Sequence, residues 1–192
     1  LAAELPLPVV LYNIPGRPGP TFDLETLRQA QQLPNVLGLK DSSANMLYFH
    51  QVRRMLGQRP DWTLLVGPEE LLAEAVLLGG HGGVSGGANV NPRLYVELYE
   101  AAEAGEVERV NALHRRVIEA SCRLYQVGIY QSPSVFLNAL KTSLSFLDIC
   151  SDVVAEPFEG FGQDERAKIR EHLKVLGLLP GPEATGPVSA GG

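Results

Sequence analysis

The feature that most constrains the fold of this chain is an alternation of short strand-forming runs with helix-forming segments. The strand-forming runs are residues 8–12, 36–40, 62–67 and the Gly-rich 82–87. The segments that follow them, residues 22–33, 43–56, 68–80 and 91–105, have the apolar spacing and the end signals of helices. Continuous apolar runs are typical of strands covered on both faces, and helical connections make strands parallel. The pattern predicts four consecutive βα units around a parallel sheet.

Two architectures accommodate four βα units: a doubly wound open sheet, or one half of a (β/α)8 barrel. A whole barrel needs typically about 250 residues, and the βα units end near Gly105. Three helical segments follow, and they are residues 106–126, 132–147 with Ser132 as its cap, and 164–177. The predicted organisation is therefore a βα region at 1–105, a helical region at 106–178 and a disordered, Pro- and Gly-rich tail at 179–192.

Charge and composition exclude several classes of function. The net charge is −6, and nucleic-acid binders usually show a basic stripe instead. No run reaches the roughly 18 apolar residues of a transmembrane helix, and no signal peptide is visible. The four histidines are scattered, so no metal site is expected, and Cys122 and Cys150 are expected to be reduced core thiols of a cytoplasmic protein. Because the chain begins with Leu1, we expect it to start partway through a longer protein.

Lys40 and Tyr12 are the candidate catalytic residues, because each ends a strand-forming run. The carboxyl ends of parallel strands are where α/β proteins build their sites, and the two residues stand one βα unit apart. In an apolar barrel interior, desolvation favours the neutral amine of Lys40, which can attack a ketone to form an imine. A neighbouring phenol can move protons. A solvated lysine and a core tyrosine remain the alternative interpretation of these two residues.

Two further segments carry weaker signals. Arg17 lies between Pro15 and Pro18 in the loop after Tyr12, where a rigidly held guanidinium suits a carboxylate; a solvated surface arginine fits the position equally well. Residues 79–87 suggest a phosphate-binding loop, but they lack the Gly-Lys-Ser/Thr ending of a P-loop. A phosphate-binding barrel that uses this loop therefore stays open as a weaker alternative.

Three motifs, YNIPGR, GLKDSS and GGVSGGANVNP, resemble together the pyruvate-dependent class I aldolases, the family of dihydrodipicolinate synthase and N-acetylneuraminate lyase. The resemblance covers residues 7 to 179. It implies strands five to eight of a (β/α)8 barrel, followed by a C-terminal helical extension. It also implies a lyase that uses no cofactor or metal, condenses pyruvate with an aldehyde and works as a homo-oligomer, commonly a tetramer.

The resemblance also implies roles for individual residues. Lys40 would form the Schiff base with pyruvate, and Tyr12 would relay protons. Val84 would contact pyruvate through its backbone, and Gly67 lies where the seventh strand opens toward the site. Arg17 matches the arginine that the synthases use for the carboxylate of the second substrate, which favours a synthase over a neuraminate lyase.

Departures from the family pattern leave alternatives open. Pro18 follows Arg17 where the synthases have Thr, and Asp41-Ser42-Ser43 follows the lysine. These changes resemble aldolases for 2-keto-3-deoxy sugar acids or 4-hydroxy-2-oxoglutarate. The Gly-Thr-Thr-Gly segment and the second tyrosine of the relay, which belong to the first half of the barrel, are not visible. The chain is therefore expected to be truncated and weakly active or inactive alone, and a non-catalytic half-barrel used for binding or assembly is the second hypothesis.

Overall fold

The computed structural model describes residues 5–15, 21–59, 61–127 and 133–180 of the 192-residue chain. The chain divides into two compact units, Leu1–Ile118 and Glu119–Gly192. The first unit contains the sheet and the helices that connect its strands.

The sheet of the first unit has four parallel strands in the order β1-β2-β3-β4. The strands are β1 (Val9–Asn13), β2 (Val36–Asp41), β3 (Thr63–Val66) and β4 (Gly82–Gly83). Their register aligns the strand ends in rows, and one such row contains Tyr12, Lys40, Leu65 and Gly82. Each strand lies beside the next one in sequence, as expected for consecutive βα units.

Five helices of the described residues accompany the strands, and the first three of them connect one strand to the next. They are α1 (Leu24–Ala30), α2 (Met46–Met55), α3 (Leu72–Leu77), α4 (Pro92–Glu103) and α5 (Val107–Tyr125), the last of which runs past the boundary between the units. Asp23, Asn45 and Asn91 cap α1, α2 and α4, each accepting a hydrogen bond from the backbone N–H three residues on. Short 3₁₀ turns at Leu56–Gln58, Glu69–Leu71 and Gly87–Asn89 complete the connections.

The core of the first unit lies between the sheet and these helices. Leu39, Leu64 and Val66 are buried there with Phe49 and Trp62. Successive side chains of a strand point to opposite faces, and the second face of β1 carries Val10 and Tyr12, which are each 49% exposed. The expectation of strands covered on both faces is therefore wrong for β1 within the described residues.

The fourth strand is much shorter than the sequence predicts. Residues 82–87 were expected to form it, but the ladder contains only Gly82–Gly83. Gly82 has a φ of +140°, which disfavours a regular strand, and residues 87–89 turn into a 3₁₀ helix. Val84 consequently follows the strand rather than lying within it.

The second unit contains helices α6 (Pro133–Phe146) and α7 (Gln163–Val175). Ile169 and Leu173 of α7 are buried, and their spacing of four residues places them on one face of the helix. Ser132, expected to cap α6, and residues 181–192 of the expected tail lie outside the described residues.

The expectation that both cysteines are core thiols is wrong, because Cys122 and Cys150 are both exposed. Cys122 lies on α5 next to the buried Ser121. Cys150 lies beyond the end of α6. In the described part of the chain, no helix has the length and apolar character needed to cross a bilayer.

Candidate active site

Tyr12 and Lys40 are brought into contact at the carboxyl ends of β1 and β2. They are partners in the parallel register, and Lys40 Nζ lies 4.4 Å from the centroid of the Tyr12 ring. An ammonium group in this position is attracted to the face of the ring. Lys40 is partly buried and Tyr12 is half exposed, so both groups can be reached from solvent. The arrangement places a primary amine and a phenol side by side.

Because Gly67 has no side chain, the space beside it is free for the side chain of Lys40. Gly67 follows β3, and its N–H donates to the carbonyl oxygen of Asp41 at 2.7 Å. A Cβ at Gly67 would lie 1.9 Å from Ser42 Oγ and 3.2 Å from Lys40 Cε. Any side chain here would therefore displace Ser42 and crowd the lysine.

Val84 lies one step beyond β4, and its backbone N–H donates to the carbonyl oxygen of Val66 at 2.9 Å. Val66 and Gly83 are register partners, and this bond is the last one of the ladder between β3 and β4. The Val84 side chain is 52% exposed. Val84 is thus fixed at the same end of the sheet as Lys40 through its main chain alone.

Arg17 lies in residues 16–20, outside the described part of the chain. Its position relative to Lys40 stays a prediction.

Two buried polar residues that sequence reasoning missed, Asn13 and Asp41, stand directly after Tyr12 and Lys40. Asn13 Nδ2 donates to Asp41 Oδ1 at 2.7 Å, and both side chains are almost fully buried. Their separation of 28 residues is the same as that between the tyrosine and the lysine. This repeated spacing was the available sequence signal.

A second missed group ties the turn after β3 to the loop after β4. The buried carboxylate of Glu69 accepts a hydrogen bond from the Gly87 N–H at 2.7 Å. The phenol of Tyr95 lies beside this carboxylate, and burial together with the Glu69 charge raises the pKa of Tyr95 well above its usual range. The loop that carries Val84 is therefore anchored to the segment just after Gly67.

His81 directly precedes β4 and is hydrogen-bonded to β3. Its Nδ1 accepts a hydrogen bond from the Leu64 N–H at 2.9 Å. Over the described residues, no group of three or more His, Cys, Asp or Glu side chains could hold a metal ion.

The family of the chain follows from a sequence comparison. The model of the dihydrodipicolinate synthetase family matches residues 1–176. The chain belongs to this family. The resemblance inferred from the three short motifs is therefore confirmed over most of the chain.

Individual members of the dihydrodipicolinate synthetase family are similar over most of this chain. The 4-hydroxy-tetrahydrodipicolinate synthase of Chlorobium phaeobacteroides is 31% identical over 181 residues, which cover 93% of this chain and 58% of that protein. The dihydrodipicolinate synthase structure from Bacteroides thetaiotaomicron has a TM-score of 0.84 and 48% identity, covering 89% of this chain and 57% of that one. A prophage protein of the same family from E. coli K12, solved in complex with pyruvate, has a TM-score of 0.78 and 26% identity, covering 91% and 58%.

These comparisons decide between the two architectures left open by the sequence. The four parallel βα units are the C-terminal half of a (β/α)8 barrel, and the later helices are its C-terminal extension. The chain spans slightly less than three fifths of the length of the relatives it matches.

Proposed function

We propose that this chain carries the Schiff-base half of a pyruvate-dependent aldolase, a carbon–carbon lyase. The observation that supports this proposal best is the contact between Lys40 Nζ and the Tyr12 ring at the carboxyl end of the sheet. A nucleophilic amine with a proton-carrying phenol beside it is what imine chemistry requires. Membership of the dihydrodipicolinate synthetase family supports the same reaction class.

The proposed reaction begins at Lys40. The neutral amine attacks the C2 carbonyl carbon of pyruvate, and the carbonyl oxygen leaves as water with the two amine protons, which gives an imine. Protonation of the imine nitrogen and loss of a C3 proton form an enamine. Its C3 bonds to the carbonyl carbon of an aldehyde while the aldehyde oxygen takes up a proton, which leaves a protonated imine. Water then cleaves the C2–N bond and restores the amine. Tyr12 carries protons to and from the C2 oxygen and the lysine nitrogen.

The remaining site residues are assigned to binding. The Val84 backbone contacts the pyruvate unit. Gly67 keeps the space beside Lys40 open, which is supported by the short distance that an added Cβ at position 67 would have to Lys40 Cε. Arg17 binds a carboxylate of the second substrate. The arginine favours a 4-hydroxy-tetrahydrodipicolinate synthase-like condensation over cleavage of N-acetylneuraminate. A 2-keto-3-deoxy sugar acid or 4-hydroxy-2-oxoglutarate is the alternative substrate class.

The test is borohydride reduction in the presence of pyruvate, followed by mass spectrometry of the peptides. We expect a reduced pyruvate adduct on the Lys40 peptide, its absence in Lys40→Ala, and its persistence in Lys168→Ala, a control in the exposed part of α7. An adduct spread over several lysines, or one that survives in Lys40→Ala, contradicts the assignment.

Location and assembly are part of the proposal. We place the protein in the cytoplasm as a homo-oligomer, which rests on the resemblance and on the amphipathic character of residues 106–126 and 132–147. Light scattering after size-exclusion chromatography checks the assembly, and a monomeric mass at all concentrations would contradict it.

A non-catalytic half-barrel is the second candidate function. It is favoured by the share of the relatives that the chain covers, 57–58%, and by the half-exposed side chains of Val10 and Tyr12. A folded chain that forms no adduct with pyruvate would favour this candidate.

A further inference from the structure

We propose that Asn13 and Asp41 form a positioning pair that holds Tyr12 and Lys40 together. The effect of this pair on the reaction with pyruvate rests on the proposed function, whereas its effect on the contact between Lys40 and Tyr12 does not. Neither residue is assigned a role in the imine chemistry, because both side chains are buried behind the strand ends.

Asp41 is the centre of the arrangement. Its Oδ1 accepts hydrogen bonds from Asn13 Nδ2 at 2.7 Å and from the Ser43 N–H at 3.1 Å, and its Oδ2 accepts from Ser43 Oγ at 2.9 Å. A carboxylate that is 2% exposed is costly to bury unless such donors surround it. These hydrogen bonds join the end of β2 to the end of β1 through the two side chains.

Asn13 adds a second connection. Its Oδ1 accepts a hydrogen bond from the Phe22 N–H at 3.3 Å, and the Phe22 carbonyl oxygen accepts one from Tyr48 Oη at 2.7 Å. One asparagine side chain thus joins the residue before the loop to a residue after it. Asn13 and Phe22 flank, in the sequence, the segment that contains Arg17.

The position of the pair in the register explains why it acts on Tyr12 and Lys40. Asn13 and Asp41 are register partners, and Tyr12 and Lys40 form the adjacent pair. Because successive side chains alternate between faces, the buried pair and the reactive pair lie on opposite sides of the same two strand ends. If a change in the buried pair lets the ends of β1 and β2 shift relative to each other, the Lys40 amine moves away from the Tyr12 phenol.

The first measurement is independent of pyruvate. A methylene group over an aromatic ring shows an upfield NMR shift, so the Lys40 ε-CH₂ resonance, assigned with Lys40→Ala, reports the contact with Tyr12. We expect Asn13→Ala and Asp41→Ala, each of which removes the hydrogen bond between the two side chains, to move this resonance toward its ordinary position. Asn111→Ala, an exposed asparagine on α5, should leave it unchanged.

The decisive variant exchanges the two residues, Asn13→Asp together with Asp41→Asn. The amide at 41 then donates to the carboxylate at 13, the bonds from Phe22 N–H and Ser43 Oγ are kept, and only the bond from Ser43 N–H is lost. We expect the exchange to recover most of the upfield shift. If Asn13→Ala does not fold, the exchange variant and the milder Ser43→Ala are measured in its place. The proposal is overturned if Ser43→Ala leaves the Lys40 resonance unchanged and the exchange variant lacks the upfield shift.

The second measurement is the rate of borohydride trapping as a function of pyruvate concentration. Misplacement of a reacting group by about 1 Å can cost roughly 100-fold, so we expect the maximal rate to fall by roughly that factor in Asn13→Ala. The half-saturating pyruvate concentration should change little, because neither residue reaches the substrate. A wild-type chain that shows the upfield shift but forms no adduct refutes the proposed function alone, whereas single variants that keep both the shift and the rate refute the positioning pair.

Discussion

At the scale of single residues, the candidate site depends on the open space beside Lys40 as much as on its reactive groups. Lys40 can lie against the Tyr12 ring because position 67 has no side chain. Sequence reasoning singled out Lys40 and Tyr12 because each ends a strand-forming run, and it named Gly67 through the family resemblance. It did not find Ser42, which occupies the volume opposite Gly67, because a serine after a strand is ordinary in loops.

Gly67→Ala is expected to abolish or strongly reduce pyruvate trapping while the chain stays folded, because the new Cβ would meet Ser42 Oγ at 1.9 Å and Lys40 Cε at 3.2 Å. The matched control is Gly57→Ala, where a Cβ would meet nothing within 4 Å. Ser42→Gly removes the nearer obstacle and should partly restore trapping in the double variant. Trapping by Gly67→Ala at the wild-type rate would contradict the steric argument.

Tyr48 gives a pH dependence of stability. Its phenol donates to the Phe22 carbonyl oxygen, and burial, followed by the charges of Asp41 and Asp23, raises the pKa of Tyr48 to about 12. Between the ordinary value near 10.0 and about 12, the unfolded chain loses this proton while the folded chain keeps it. The stability that Tyr48 contributes is therefore complete below pH 10 and is lost as the pH rises toward 12.

Denaturant unfolding of wild type and Tyr48→Phe at a series of pH values measures this effect. The wild type should be the more stable of the two below pH 10, and its advantage should shrink steadily above that pH. A difference in unfolding free energy that stays constant from pH 8 to pH 12 would show that the Tyr48 pKa is not raised.

At the scale of elements, the loop between β4 and α4 is fixed by one buried contact. A Cβ at Gly87 would lie 2.0 Å from Tyr95 Oη and 2.9 Å from Glu69 Oε2, and the Gly87 N–H is bonded to the same Glu69 carboxylate. Because Val84 begins this loop, the Glu69–Gly87 bond holds the residues after the fourth strand against the turn after the third.

Gly87→Ala should destabilise the chain by about 1–3 kcal/mol, which is the usual cost of overpacking a core position. The variant Gly87→Ala with Tyr95→Phe should recover part of this loss, because the nearest atom is removed. Gly160→Ala, where a Cβ has open space around it, serves as the control. Equal midpoints of denaturant unfolding for wild type and Gly87→Ala would contradict this account of the loop.

Much of the element pattern could be predicted because strong local signals mark it. Asp23, Asn91 and Pro92 begin their helices where the sequence indicates. The fourth strand could not be predicted at its correct length, since the φ of Gly82 and the bond from Gly87 to Glu69 depend on neighbours distant in sequence. The exposure of Cys150 was missed for a related reason, because α6 ends at Phe146 and does not bury the residues after it.

At the scale of the whole molecule, the sheet of the described residues remains open at both edges. β1 and β4 each have a single neighbouring strand, and four strands cannot close the barrel that eight form. Beside β4, a groove of about 600 Å³ runs along α4, between Leu65 and Tyr99. The relatives contain further sequence beyond the part that matches this chain.

The 192-residue chain alone is therefore expected to be weakly active or inactive in a condensation assay with pyruvate and an aldehyde. A chimera tests the reason: the part of the Bacteroides thetaiotaomicron synthase that this chain does not match is fused in front of residue 1. We expect turnover by the chimera to exceed that of the chain by at least ~100-fold, since closure excludes water and orients both substrates. The same chimera with Lys40→Ala should be inactive, and full turnover by the separate chain would refute the prediction.

The attachment of Val84 has a consequence for how such proteins diverge. The bond from its N–H to the Val66 carbonyl oxygen is made by the main chain, and the valine side chain is half exposed. Most side chains can therefore be exchanged at this position without changing what the backbone presents, and proline is the exception because it has no N–H. A mutational scan with alanine is therefore expected to score the position as dispensable, and substitutions other than proline can accumulate there during divergence without loss of the main-chain bond.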